Sequence, residues 1–303
     1  MLDLKDVLRQ VRRLEIRTER MVDSLAAGAY RSRFRGQGME FEEVREYSPG
    51  DDVRHIDWNV TARTGNGRTA FVKTFREERD LTCLLLVDVS GSMNFGAIPG
   101  CSPRTKLHAA TEAAAIVGTT AMRNNDTLGL VTFSNRTHVH IPCRKGRGHV
   151  MRILREVLSA DAGHQPTCMT RALEELHQTA RKRAVCFLVS DFLQREIEFG
   201  ATLMRVARRH DIIGLRVADP GEAALPARGG PLVLRDPESG AETVLANTRA
   251  GRRRYAEAYR AQRSTTERLF ANARCDLVDV RTDLSTFTAL RRFFEQRRRR
   301  HHG

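Results

Sequence analysis

Apolar positions along the chain follow two spacings, and the way these alternate predicts the architecture. Leu4, Val7, Leu8, Val11 and Leu14 recur at intervals of three and four, which puts them on one face of a helix within residues 1–30. From Phe34 to Phe71 the pattern breaks into short stretches interrupted by Gly36, Gly38, Pro49, Gly50, Gly65 and Gly67, predicting a small β-rich or irregular module over residues 31–80. Leu81 to Val87 is then an almost unbroken apolar run, the pattern of a strand covered on both faces. Leu107, Ala110, Ala114, Val117 and Ala121 mark a helix whose small side chains permit close approach to a sheet. Leu128 to Phe133 predicts a second strand, and Val139 to Ile141 a short edge strand. Further helices carry Val150 to Leu158, then Leu173, Leu176 and Ala180, then Leu203, Val206 and Ala207. Strands are expected at Val185 to Val189, Ile212 to Val217 and Leu277 to Val280, and a last helix bears Leu290, Phe293 and Phe294. Residues 81–296 therefore read as an α/β domain with a doubly wound, mainly parallel sheet and helices on both faces.

Two segments depart from that rhythm. Pro231 to Leu234 and Glu242 to Leu245 flank Asp236-Pro237-Glu238-Ser239-Gly240, the signature of a surface hairpin or extended loop. Arg252 to Ala273 reads as a long polar helix, and residues 297–303 as a basic tail.

Composition narrows the function classes. With 41% hydrophobic and 29% charged residues, the chain reads as folded and globular. Its most apolar run, Leu84 to Val89, is interrupted by Asp88 and is far shorter than the roughly 18–20 residues a membrane span needs. The start carries Asp3 and Asp6 and no continuous apolar stretch, unlike a signal peptide, so a cytoplasmic location without integral membrane association is expected. The six cysteines, at 83, 101, 143, 168, 186 and 275, include no CxxC pair and suggest neither a disulfide framework nor a zinc cluster. The formal charge of +14 favours a polyanionic partner, either nucleic acid or an acidic protein. One tryptophan and four tyrosines offer little for stacking bases, which argues against nucleic acid.

The chemistry centres on Asp88-Val89-Ser90-Gly91-Ser92. A strand ends there on an acid and two hydroxyls spaced i, i+2 and i+4, at the edge of a parallel sheet where ligands bind. These oxygens suit a hard divalent cation, which takes about six oxygen ligands. Gly91 is expected to let the backbone fold around the ion. Thr167 precedes a helix, and Asp191 follows the strand Ala184 to Ser190. Either could be a helix cap, but in a doubly wound sheet both loops converge beside Asp88.

Asp88, Ser90, Ser92, Thr167 and Asp191 together resemble the metal-ion-dependent adhesion site of von Willebrand factor A-like proteins, with its DxSxS loop, threonine and later aspartate. The run Arg45-Glu46-Tyr47-Ser48-Pro49-Gly50-Asp51-Asp52-Val53-Arg54-His55-Ile56-Asp57-Trp58, followed by Ala62-Arg63, is similar to a bacterial domain-of-unknown-function family, number fifty-eight, often associated with MoxR-type AAA+ ATPases. The similarity spans roughly Arg31 to Asp191. It implies a companion or adaptor of a MoxR-like ATPase in the assembly or maturation of other proteins. The hydroxyl-rich site and the lack of a Gly-rich loop ending in GKS or GKT point to metal-ion-dependent binding of a protein presenting an acidic residue, not to an enzyme. The implied cation is magnesium, with manganese or calcium as alternatives. A metal-dependent hydrolase and a basic nucleic-acid-binding protein are the competing readings. Asp51, Asp52, Asp57, Arg54 and His55 are expected to form a structural polar network anchored by Trp58.

Overall fold

The computed structural model describes residues 38–49, 51–63, 70–78, 81–160, 163–180, 182–194, 199–227 and 230–300. The helix expected within residues 1–30 lies outside them. The described residues group into two compact units, one within Phe34–Asp80 and the other from Leu81 onward.

In the smaller unit, β1 (Gly38–Glu46) pairs antiparallel with β2 (Phe71–Glu78), and α1 (Trp58–Arg63) lies between them in sequence. Asp57 starts that helix, its Oδ1 accepting from Asn59 N at 2.9 Å and Val60 N at 3.3 Å. The acids of the expected polar network are paired with basic side chains: Arg45 with Asp51 at 2.6 Å, Lys73 with Asp57 at 2.9 Å and Arg54 with Asp52 at 3.2 Å. Trp58 does not anchor them. As the first residue of a short helix it faces outward and stays 69% exposed.

The larger unit is built on a six-stranded sheet ordered β10-β7-β6-β3-β4-β5. Its strands are β3 (Thr82–Asp88), β4 (Thr127–Phe133), β5 (Thr137–Arg144), β6 (Val185–Ser190), β7 (Asp211–Ala218) and β10 (Asp276–Arg281). All neighbours run parallel except β4 and β5, so the predicted edge strand is also the antiparallel one. The central strands β3 and β6 bury nearly every side chain, which explains why their apolar runs do not alternate with polar residues.

Helices cover both faces. On one face α2 (Lys106–Arg123), α3 (Arg147–Leu158) and α8 (Thr286–Arg300) bury Ala113, Val117, Ile153, Leu154, Leu290 and Phe294. On the other, α4 (Met169–Thr179), α5 (Phe199–Ala207) and α7 (Arg249–Asn272) bury Leu173, Leu176, Leu203 and Phe270. The small residues of α2 have a packing reason: a Cβ on Gly118 would lie 2.8 Å from Val150 Cγ1. The short helix α6 (Pro220–Ala223) follows β7, and β8 (Leu232–Arg235) pairs antiparallel with β9 (Glu242–Leu245) as a separate two-stranded ladder.

The basic tail expected from residue 297 begins too early, because α8 continues through Arg300. Arg297 is only 4% exposed, with its guanidinium paired to Asp211 and 3.6 Å from Asp276. Its charge is compensated inside the fold, so it is part of the helix's docking surface. Arg297→Leu should lower the unfolding free energy by roughly 3–5 kcal/mol by leaving Asp211 buried without that guanidinium. Arg299→Ala, at an exposed position, should stay within about 0.5 kcal/mol. Urea denaturation followed by circular dichroism separates the two, and equal effects would return Arg297 to a solvated tail.

Candidate metal centre

The strand order sets the position of the site. From β3 the chain passes to β4 on one side and later returns to β6 on the other, so connections leave the carboxyl ends of β3 and β6 in opposite directions. A crevice opens at such a point in doubly wound sheets. Asp88 is the last residue of β3, and Asp191 directly follows β6. After Asp88 the backbone turns at once, with Ser90 N donating to Asp88 Oδ1 at 2.9 Å before a short 3-10 turn over Gly91–Asn94. The loop carrying Thr167 is held beside it by Gly91 N on Gln165 O at 3.3 Å and Cys168 N on Ser134 O at 2.9 Å.

The five residues singled out in the sequence lie in one buried cluster. Thr167 Oγ1 is 3.1 Å from Asp88 Oδ2 and 2.8 Å from Ser90 Oγ, and Ser90 Oγ is 3.2 Å from Ser92 Oγ. The Ser92 hydroxyl also acts on Asp191, helping to hold its carboxyl low. Four further residues share the cluster and were not anticipated: Ser190, Lys106, Glu222 and Glu238. Ser190 Oγ donates to Asp88 Oδ2 at 2.7 Å. Lys106 Nζ, fully buried, is 2.6 Å from Asp191 Oδ2 and also bonds Glu222. Glu238, from the turn between β8 and β9, brings its Oε1 within 3.2 Å of Thr167 Oγ1.

Lys106 was hidden because it reads as an exposed residue at the start of an alanine-rich helix. A lysine in a first helical turn opposes the helix dipole. Here two carboxylates offset that cost, one from the loop after β6 and one from α6, where Asp219 and Glu222 form a capping box. The only hint in sequence was that acidic Asp219-Pro220-Gly221-Glu222 start. Gly91 has a different reason from the one expected. A Cβ there would lie 2.1 Å from Pro237 O, so glycine makes room for the β8–β9 turn.

Negative charge exceeds positive in this cluster. Asp88, Asp191, Glu222 and Glu238 face the single ammonium of Lys106 among the described groups that bond them there. Burial raises the Asp88 carboxyl, with the Asp191 charge adding to it, up to about 6. Burial, then Asp191 and Asp88, push Glu238 up to about 7. Asp191 goes the other way: burial opposes its charge, but the Lys106 ammonium outweighs that and holds the carboxyl below its usual range. Acceptors also outnumber donors around Thr167, whose one hydroxyl proton serves Asp88 Oδ2, Ser90 Oγ or Glu238 Oε1 one at a time. No three His, Cys, Asp or Glu side chains among the described residues are grouped to hold a metal unaided. A cation here would depend on the hydroxyls, and the oxygen-only donors with surplus negative charge fit a hard divalent ion.

Residues 43–265 match the model of a family described as protein of unknown function DUF58. An uncharacterized protein of Mycobacterium tuberculosis is 32% identical over 292 residues, covering 95% of this chain and 89% of its own length. Among solved structures, an aerotolerance-related membrane protein from Bacteroides fragilis covers 71% of this chain and 97% of its own, at 14% identity and a TM-score of 0.44. A von Willebrand factor type A protein from Catenulispora acidiphila covers 68% of this chain and 44% of its own, at 14% identity and a TM-score of 0.35.

Lys106→Met should destabilise the metal-free protein by roughly 3–5 kcal/mol, because it leaves buried Asp191 and Glu222 without their ammonium. The double variant Lys106→Met/Asp191→Asn should lose less than the sum of the two single losses. Urea titrations of the four proteins measure the coupling, and strictly additive losses would remove the Lys106–Asp191 pair from the account.

Proposed function

This chain belongs to the DUF58 family, and from that premise we propose that it is a metal-ion-dependent protein-binding adaptor. The observation carrying this reading is the convergence of Asp88, Ser90 and Thr167 within 3.1 Å contacts, with Ser92 and Asp191 next to them, in a cluster with surplus negative charge. Asp88, Ser90, Ser92 and Thr167 would hold a divalent cation, magnesium first and manganese or calcium as alternatives. Asp191 would act beside it, fixed by Lys106. When bound, the cation supplies a hard Lewis-acidic point able to take a carboxylate oxygen. Hydroxyl donors leave much of its charge uncompensated, which favours gripping an outside acid over metal-assisted hydrolysis.

The partner in this reading is a protein presenting an acidic residue, and family resemblance points to a MoxR-like AAA+ ATPase. The positive surplus of the chain suits an acidic partner better than nucleic acid in this reading, because one tryptophan and four tyrosines offer little for stacking bases. We place the protein in the cytoplasm as part of the proposal. Among the described residues no helix is long and apolar enough to cross a membrane.

Calorimetry with a MoxR-like ATPase from the same genome, in magnesium and in EDTA, tests the reading. The wild type should bind in magnesium and weaken about tenfold or more in EDTA. Ser90→Ala/Ser92→Ala should lose a similar factor in magnesium while keeping its circular dichroism spectrum, since it removes two ligand oxygens and leaves the apolar strand intact. Equal affinity in magnesium and EDTA would rule out the metal-dependent mechanism.

A further inference from the structure

The place where an outside carboxylate would approach is covered by a carboxylate of this same chain. The turn between β8 and β9 is preformed: Asp236 Oδ1 accepts from Glu238 N at 2.9 Å, Asp236 O accepts from Gly240 N at 2.8 Å, and Gly240 sits at a φ of +72°. Three contacts seat this turn on the site. His164 Nδ1 is 2.9 Å from Pro237 O, Pro237 O lies 2.1 Å from where a Cβ on residue 91 would stand, and Glu238 Oε1 is 3.2 Å from Thr167 Oγ1. The first two involve backbone of the turn, so they fix where Glu238 emerges, and the third shows where its carboxylate goes. Thr167 is thereby flanked by two carboxylates, Asp88 from the strand and Glu238 from the turn.

From this we infer that Glu238 is the acid this site takes in the isolated chain, and that a partner's carboxylate binds by exchanging with it. The β8–β9 ladder is then a displaceable plug. It belongs to a separate two-stranded sheet, so lifting it breaks no pairing in the six-stranded sheet. The inference rests on the cation reading above and adds a resident competitor to it. The competitor sets a threshold. A partner must offer a better-placed acid, or further contacts, to replace a ligand already tethered at high effective concentration.

The test uses the full chain with Mn²⁺ alone, read by electron paramagnetic resonance for affinity and by water-proton relaxation for the water bound to the ion. Glu238→Gln should weaken Mn²⁺ about tenfold or more and raise the relaxation enhancement, because water replaces the lost carboxylate. Acetate should then lower that enhancement in Glu238→Gln at concentrations that leave the wild type unchanged. Glu238→Asp, which keeps the charge on a shorter side chain, should recover part of the wild-type affinity. If Glu238→Gln matches the wild type in affinity, enhancement and acetate response while Ser90→Ala/Ser92→Ala loses Mn²⁺, the role of Glu238 is overturned and the cation site stands. Mn²⁺ bound equally by the wild type and Ser90→Ala/Ser92→Ala would instead overturn the cation reading itself.

Discussion

Two aspartates buried side by side at the ends of neighbouring strands repel each other, and much of the surrounding structure answers that repulsion. Asp88 and Asp191 are placed by β3 and β6, whose pairing is fixed by the register of the sheet. Water cannot reach them freely, so compensation comes from the protein. Lys106 takes Asp191, and the hydroxyls of Ser190 and Thr167 together with Ser90 N take Asp88. This compensation is unequal. Asp191 has a full counter-charge, whereas Asp88 has only dipoles, and that difference explains why the two carboxyls are driven in opposite directions.

The position of Lys106 depends in turn on packing far from the charges. Its helix lies close against the sheet because Ala109, Ala110, Ala113, Ala114 and Gly118 present almost no side-chain bulk. Thr105 caps the helix, its Oγ1 accepting from His108 N at 3.3 Å, and this sets where the first turn begins. Larger residues along that face would move the ammonium away from Asp191, so alanine spacing and site electrostatics are one constraint seen at two levels.

How much of this could be read in the sequence depended on whether the signal was local. The sheet and its helices were legible because burial on both faces leaves continuous apolar runs such as Leu81 to Val87, while helices leave three- and four-residue spacing. The cluster of Asp88, Ser90, Ser92, Thr167 and Asp191 was legible because each residue ends, follows or, for Thr167, precedes an element that the pattern had already located. Lys106, Ser190 and Glu238 were not. Each is ordinary in its own segment, a helix-start lysine, a strand-end serine and a turn glutamate, and each gains its meaning from a partner more than 65 positions away. Arg297 and Trp58 went astray for the same reason in opposite senses. An arginine run suggested solvent where one member is buried against Asp211, and a lone tryptophan suggested an anchor where the ring faces out.

The separation of the β8–β9 ladder from the main sheet also has a mechanical side. Strands drawn along a shared ladder resist as a shear joint, with many bonds bearing load at once. This hairpin is fastened at its tip by a few discrete contacts, among them His164 with Pro237 and Thr167 with Glu238, and each such bond contributes only about 1 kcal/mol net. Lifting the hairpin would break these fastenings and part no strand pairing of the six-stranded sheet.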